Sequence, residues 1–538
     1  MRLIKPIYFS AILGLALTGC GASKVITSAA PITNIDNIAL KNAPLSDSNL
    51  KRWSHLDIIK DTVPGMSVDK AYAELLKNKK GVKVVVGVVD SGVDIDHEDL
   101  KSIIWVNKNE IPGNGIDDDN NGFIDDVHGW NFLGNVSNEN LEIVRLIKKG
   151  DDGSQAYKDA KALYDKDYAE ALGNKQQLDF ILNADKAIRD NLKKDNYTLE
   201  DVKAILTRDA TLGQAKMVMA QVLSKTDKAK FDKEIEGFKD HVYDQLNYNL
   251  NLQFEGRKGK ALDKNPDDIT DNKYGNNNVT GPDKKDAKHG THVSGIIAGI
   301  RNNGKGGDGV ANNVEIMAVR AVPNGDEYDK DIALALRYAV DNGAKVINTS
   351  FGKYYSPHKE WVYDAIKYAG EKDVLIVNAA GNEGYDLNTK NVYPNDSENM
   401  GPEVSNTFLT VGALNVSYGS NLVADFSNYG TYDVDVFAPG VEIYSTTPND
   451  TYEFLQGTSM AAPNVAGVAA LIRSYYPTLT AAQVKQIIME SGIPTKIEVA
   501  LDGDKSNKRS FAEVSKTGRM VNAYNALILA EKMTNTKK

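Results

Sequence analysis

The 538-residue chain is 41% hydrophobic and 25% charged, the balance of an ordinary soluble globular protein with a sizeable core, and its 44 glycines imply many tight turns. A net charge of −10 without a long basic run lacks the attraction that drives binding to nucleic acid, so no nucleic-acid partner is expected. The single cysteine excludes an intrachain disulfide, and the length fits either one domain with a large insertion or several units.

The chain begins with Arg2 and Lys5, an apolar stretch over 7–17, and Leu17-Thr18-Gly19-Cys20. This reads as a signal peptide over residues 1–19, too short for the roughly 20 apolar residues of a membrane span. The four residues ending at Cys20 resemble the lipobox of bacterial lipoproteins. That resemblance implies cleavage before Cys20, its diacylation, and an exported protein tethered to a membrane outside the cytoplasm. Residues 20–54 are polar and weakly periodic and are expected to form the tether, too short to add a folded inhibitory prodomain.

Over 67–77, Val68, Ala71, Tyr72 and Leu75 recur at helical spacing. Residues 82–89 are valines with one lysine and one glycine, the pattern of a strand buried on both faces, and it ends at Asp90. The acidic run that follows places Asp117, Asp119 and Asn121 two apart beside Gly122, with Asp125 and Asp126 close behind. Such spacing suits a calcium loop with Asp117, Asp119, Asn121 and Asp125 as ligands, although the closing glutamate of an EF-hand is missing; a solvated acidic turn is the plainer alternative.

Residues 135–273 lose glycine and gain lysine and aspartate, and helical periodicity takes over, so they are read as an inserted α-helical subdomain between catalytic segments 55–134 and 274–538. Phe231, Ile235, Phe238, Val242 and Leu246 form one apolar stripe, and Thr198 with Asp201 makes a capping box before Val202, Ile205 and Leu206. The insertion either covers its own core or guides substrate. Beyond it, helices over 332–341 and 359–369 alternate with strands over 345–348, 374–378 and 408–411. That alternation predicts an open α/β sheet, whose chemistry sits at the carboxyl ends of its strands.

Three segments put a chemically active side chain beside glycine: Asp90-Ser91-Gly92, His289-Gly290-Thr291-His292, and Gly457-Thr458-Ser459-Met460-Ala461. Peptide hydrolysis at neutral pH needs a nucleophile, a base to take its proton and a carboxylate to fix the base, and Ser459, His289 and Asp90 supply these. Gly290, Gly295 and Gly299 suggest a helix starting at His289 that approaches the sheet closely. Ser459 opens a helix apolar nearly all round, with Pro463 tolerated in its first turn. Its N–H and the side-chain amide of Asn382 are the expected donors to a developing oxyanion.

The order Asp, His, Ser, with Asn382 between the last two, resembles the subtilisin-like serine peptidases, over residues 57–134 and 274–523. The resemblance implies an α/β, three-layer fold with a mostly parallel central sheet, carrying here the inserted α-helical subdomain. It also implies a serine endopeptidase that hydrolyses protein or peptide substrates through an acyl-enzyme and needs no cofactor for the chemistry. Ser350, Phe351 and Gly352 look like the strand that pairs with extended substrate, and Ala379, Ala380 and Gly381 like a wall of the specificity pocket. Val392, before Tyr393-Pro394, stands where many members have glycine, which narrows the pocket. Asp99, with the loop 302–309 beginning at Asn302, matches a family site for structural calcium.

Three other readings are weaker. His289 and His292 lack a third zinc ligand. A lipase would need glycine two residues after its nucleophile, where this chain has Ala461. A catalytically silent peptide-binding lipoprotein of the same fold would normally have lost one of the three catalytic residues. The sequence carries no signal for oligomeric state.

Overall fold

The computed structural model describes residues 29–36, 44–260, 263–397 and 400–536; the signal segment and Cys20 lie outside the described residues. The chain divides into two units, Met1–Ala30 and Pro31–Lys538, and the secondary structure described belongs to the second. Part of the expected tether is docked rather than free. Ile35 is buried in a cluster with Ile58 and Leu422, the Ile32 N–H donates to Asn525, and Trp53 is buried with its indole N–H on the Val441 carbonyl, 3.0 Å away. Burying these apolar side chains outweighs the polarity of the segment around them.

Two short helices, α1 (Asp47–Leu50) and α2 (Val68–Lys70, continued by a wider turn over Ala71–Leu76), precede strand β1 (Val84–Asp90). After β2 (Gly129–Asn131) come the helices of the insertion: α3 (Glu142–Lys148), α4 (Gln155–Leu192), α5 (Leu199–Ala204), α6 (Ala210–Leu223) and α7 (Lys228–Asp244). The α/β alternation then runs α8 (Lys288–Ala298), β3 (Val314–Arg320), α9 (Asp329–Asp341), β4 (Val346–Thr349), α10 (Lys359–Glu371), β5 (Leu375–Ala379), β6 (Phe408–Leu414) and β7 (Val436–Pro439). A hairpin of β8 (Ile443–Thr447) and β9 (Thr451–Leu455) leads into α11 (Thr458–Tyr475) and α12 (Ala481–Ser491). Short β10 (Ile493–Pro494), the hairpin β11 (Glu498–Leu501) and β12 (Asp504–Ser510), β13 (Arg519–Met520) and α13 (Ala523–Thr536) complete the described chain.

The central sheet has the order β2-β3-β1-β4-β5-β6-β7-β13-β10, parallel except for the pair β10 and β13. The strands read as valine-rich runs because helices cover both faces. A Cβ on Gly87 would touch Ala339 of α9, whereas one on Gly290 of α8 would touch Asp90, three residues along β1; the change of parity puts α9 and α8 on opposite faces. Helix α11 joins α8 on its side and is buried on nearly every side. Each of Val465, Val468, Leu471 and Ile472, all at 0% exposure, contributes about 1.5–3 kcal/mol by leaving water.

The insertion has its own apolar centre, in which Ile188, Tyr197, Val202, Met219 and Phe231 meet. The capping box of Thr198 and Asp201 is present, but α5 stops at Ala204 because Ile205 turns extended, leaving Leu206 outside the core. The apolar stripe over 231–246 is divided: Phe231 and Ile235 of α7 join this centre, while Leu246, in the wider turn that follows α7, packs with Ile143 and Tyr164 in a second one.

Candidate functional site

Strand β1 lies between β3 and β4: the chain leaves it toward β2 and β3, and the connection after β3 returns past it to β4, a reversal of strand order that opens a crevice at the carboxyl ends. Asp90 is the last residue there, 1% exposed, with one oxygen accepting the Ser91 N–H at 2.7 Å and the other without a hydrogen bond. Gly92, at φ +115°, turns the chain against the Val279 and Thr280 carbonyls, which lie 2.8 Å from where its Cβ would be. Gly290 lets α8 approach: a Cβ would sit 2.2 Å from the Gly92 carbonyl oxygen. The other two glycines of that helix serve different neighbours. Gly295 faces Ser445 and Thr446 of the β8–β9 hairpin, and Gly299 faces Gly307 and Gly309, so only Gly290 meets the sheet.

That approach brings His289 Nδ1 to 2.7 Å from Asp90 Oδ1. Burial works against a charge on the imidazole, but the Asp90 carboxylate, through its charge and hydrogen bond, holds His289 above its ordinary value of 6.5. The ring remains reachable, its side chain 38% exposed. His292, one turn along, is buried with Nε2 3.1 Å from the Glu453 carbonyl, and burial lowers it to about 3. A ring donating to a carbonyl is no metal ligand at that nitrogen, and among the described residues neither histidine belongs to a metal-ligating group.

Ser459 stands in the first turn of α11. Its hydroxyl donates to the Ser350 carbonyl at 3.1 Å, and the Ser350 hydroxyl donates back to the Ser459 carbonyl at 2.9 Å. Ser459 is therefore tied to the end of β4 rather than to His289. Rotation about the Cα–Cβ bond from one staggered position to another redirects the hydroxyl.

Asn382 follows β5, and its Oδ1 accepts both the Thr458 N–H at 2.8 Å and the Thr458 hydroxyl at 3.0 Å. Two donors on the oxygen settle which end of the amide is which, and the NH₂ has no hydrogen-bond partner among the described residues. A Cβ on Gly457 would lie 3.6 Å from the Ser459 nitrogen and 3.7 Å from Asn382 Nδ2, so both donors border one small space into which any side chain at 457 would project. Thr458, not singled out by its sequence, orients this amide and also accepts the Gly381 N–H at 3.0 Å.

A groove of about 480 Å³ runs past Asp90, His289, Arg320, Asn324 and Ser350. Ser350, Phe351 and Gly352 follow β4 without continuing it, and the next residue, Lys353, pairs backbone to backbone with Tyr393. Ala379 and Ala380 are buried at the end of β5 with Gly381 beyond them, and a Cβ on Gly352 would lie 3.2 Å from Val392 Cγ1. Val392 thus stands against the segment expected to hold substrate. The Tyr393-Pro394 peptide bond is cis.

The insertion reaches the same wall. Buried Lys353 binds Glu142 of α3 at 3.0 Å, the Glu327 carbonyl at 2.8 Å and Asp329 at 3.0 Å, while Arg145 pairs with Glu142 and holds the Asp326 and Glu327 carbonyls. Burial works against the Glu142 charge, yet Arg145 and Lys353 lower its pKa to about 2. No periodicity in the sequence signals this cluster, because its members come from three segments.

The two candidate calcium sites are rearranged relative to expectation. Asp117 accepts the N–H groups of Asn121 and Gly122, and Asp125 those of Gly113, Asn114 and Gly115, so both staple the loop. Asn121 donates to Asp126 at 3.1 Å. The carboxylates that converge are Glu110, Asp119 and Asp126, with oxygens within 4.8 Å of one another, and burial pushes Asp126 up to about 6. At the other site, Asp99 is fully buried with Oδ2 unpartnered, but Asn303 rather than Asn302 reaches its Oδ1; the Asn302 N–H binds Asp308.

The Subtilase family model matches residues 81–515. A thermophilic serine proteinase of Bacillus sp. (strain AK1) is 44% identical over 187 residues, covering 35% of this chain and 42% of that one. Subtilisin DY of Bacillus licheniformis is 38% identical over 199 residues, 37% of this chain and 67% of that one. Thermitase of Thermoactinomyces vulgaris is 41% identical over 187 residues, 35% and 61% of the two chains. The matched segments therefore span 42 to 67% of these relatives. With a match over most of its length and Asp90 joined to His289 at the crevice of a mostly parallel sheet, the chain belongs to the Subtilase family.

Proposed function

We propose that the protein is a serine endopeptidase in which Ser459 attacks the carbonyl of an extended peptide. The observation that carries this reading is the 2.7 Å contact of His289 with buried Asp90, beside two donors that border one space at Ser459. Turned toward His289, the Ser459 hydroxyl gives its proton to Nε2 as Oγ bonds to the carbonyl carbon. Asp90 stabilises the imidazolium, and the Ser459 N–H and Asn382 amide receive the oxyanion. His289 then passes the proton to the leaving amine, and water releases the acyl group by the same steps in reverse. A silent binder is disfavoured because Asp90, His289 and Ser459 are all present. A fluorophosphonate probe should label the wild-type chain but not Ser459→Ala, and label His289→Ala far more slowly. Failure to label fresh wild-type protein would count against hydrolysis.

Only neutral His289 takes the Ser459 proton, so kcat/KM should fall as pH drops through a value above 6.5. In Asp90→Asn burial is left unopposed and the limb should move below 6.5, which a pH profile on a peptide amide measures.

Calcium suits two places: buried Asp99 with its unpartnered oxygen, and Glu110, Asp119 and Asp126, where a cation would relieve the repulsion among three carboxylates. It would stabilise the fold and take no part in the chemistry. Calcium should raise Tm and a chelator lower it, with the response reduced in Asp126→Asn. Cys20 and the signal segment support an exported lipoprotein held at a membrane outside the cytoplasm by its acyl chains. Among the described residues no helix is long and apolar enough to cross a membrane.

A further inference from the structure

Between α5 and α6, residues 205–209 form neither helix nor strand. Ile205 is extended at φ −62° and ψ 119°. The backbone groups of Leu206, Thr207 and Arg208 make no hydrogen bond within the described chain; the nearest contacts are the Asp209 N–H on the Thr207 hydroxyl and Lys216 on the Lys203 and Ile205 carbonyls. Leu206 is 96% exposed, more than any other large apolar residue among those described. The next candidates are built differently. Met217, at 68%, lies inside α6, and Ile111 and Ile116 have their N–H groups held by Asp118 and Asn114. Among the described residues, the 206–208 stretch joins three consecutive residues without a backbone hydrogen bond to the most exposed of the large apolar residues.

Strand pairing into a cleft needs free N–H and C=O groups, and an apolar pocket needs an aliphatic side chain to fill it. The residues that resemble the wall of the family's specificity pocket, Ala379 and Ala380, together with Val392 against Gly352, are all apolar. We propose that the Leu206–Thr207 peptide bond is a cleavage site for a second copy of this chain, with Leu206 seated against that wall. The proposal rests on the endopeptidase reading above. Attack by Ser459 Oγ of one copy breaks the Leu206 carbonyl to Thr207 nitrogen bond of the other. Thr207 leaves as an amine with the proton from His289, and one water converts the Leu206 ester to a carboxylate. Six-residue α5 has little helical stability of its own, so fraying of its last turn supplies the extended residues before the bond. The cut halves stay together because Ile188, Tyr197 and Val202 on one side pack with Met219 and Leu223 on the other.

The test uses the full Ser459→Ala chain as substrate and a catalytic amount of wild type as enzyme. A fragment beginning Thr-Arg-Asp should appear on N-terminal sequencing, at a rate proportional to wild-type concentration. The double variant Ser459→Ala/Leu206→Asp should be cut there at least tenfold more slowly, and Leu206→Phe should restore cutting; at an exposed position neither change disturbs folding appreciably. A Ser459→Ala chain that stays intact at this bond, while a synthetic peptide of residues 203–209 is cleaved, would overturn the proposal and leave the endopeptidase reading standing. Cutting unaffected by Leu206→Asp would overturn the seating of Leu206. Wild type that hydrolyses no peptide at all would overturn both.

Discussion

Ser459→Ala should reduce turnover of a peptide amide by about 10⁶-fold with little change in KM, a magnitude carried over from the corresponding change in a subtilisin rather than from these distances. The reason is that the three side chains work as one device. Asp90 is buried and its charge is spent on His289 Nδ1, which leaves Nε2 as the only imidazole nitrogen available to a hydroxyl. Removing the hydroxyl leaves a base with nothing to deprotonate, and removing the imidazole leaves Ser459 bonded to the Ser350 carbonyl, a neutral acceptor that cannot take its proton. His289→Ala should therefore cost nearly as much as Ser459→Ala, and the double variant no more than either. What survives is the contribution of substrate binding and the two oxyanion donors, whose space is untouched by both changes. Steady-state kinetics on the two single variants and the double variant measures this. Losses that multiply would mean that the groups act independently, against the arrangement proposed here.

The site was legible in the sequence to the extent that one residue type at one place serves one purpose. The valine run of β1 could only be a strand buried on both faces, and its end marks Asp90. Helix α11 was readable from its apolar circumference, and Asn382 from its place after a buried strand. Where several segments share a task, the pattern is silent. Strand β3 was not anticipated, since Glu315 interrupts its apolar run, yet it carries Arg320, whose buried guanidinium holds the Ser91 carbonyl at 3.0 Å. Glu110 lies seven residues before the acidic run over 117–126, outside its alternating spacing, and supplies the carboxylate that the spacing assigns to Asp117. Asn302 and Asn303 are indistinguishable by composition, and only the left-handed turn at Asn302, φ 60°, decides which side chain faces Asp99. Helical spacing through Ile205 and Leu206 suggested a longer α5, but the chain turns extended at Ile205 and so creates the exposed loop.

Asn382→Leu should lower kcat by about 10²–10³ and leave KM nearly unchanged, the cost known for losing this donor in a subtilisin. An amide that binds only the oxyanion adds nothing to the ground state, so its loss appears in kcat. The structure adds a sharper expectation. Because Asn382 Oδ1 accepts two hydrogen bonds from Thr458, Asn382→Asp keeps that anchor and exchanges only the NH₂ for a second oxygen. A carboxylate oxygen facing a developing negative charge repels it, so Asn382→Asp should be slower than Asn382→Leu despite being the closer match in shape. Gly457→Ala approaches the same space from the other side: a methyl 3.6 Å from the Ser459 nitrogen and 3.7 Å from Asn382 Nδ2 occupies room the oxyanion needs, at a backbone φ of +146° that alanine rarely adopts. Fluorophosphonate labelling reads the hole directly, since the phosphoryl oxygen occupies it. Labelling rates should fall in parallel with kcat across Asn382→Leu, Asn382→Asp and Gly457→Ala. A variant with the kcat of wild type at Asn382→Asp would place the second donor elsewhere.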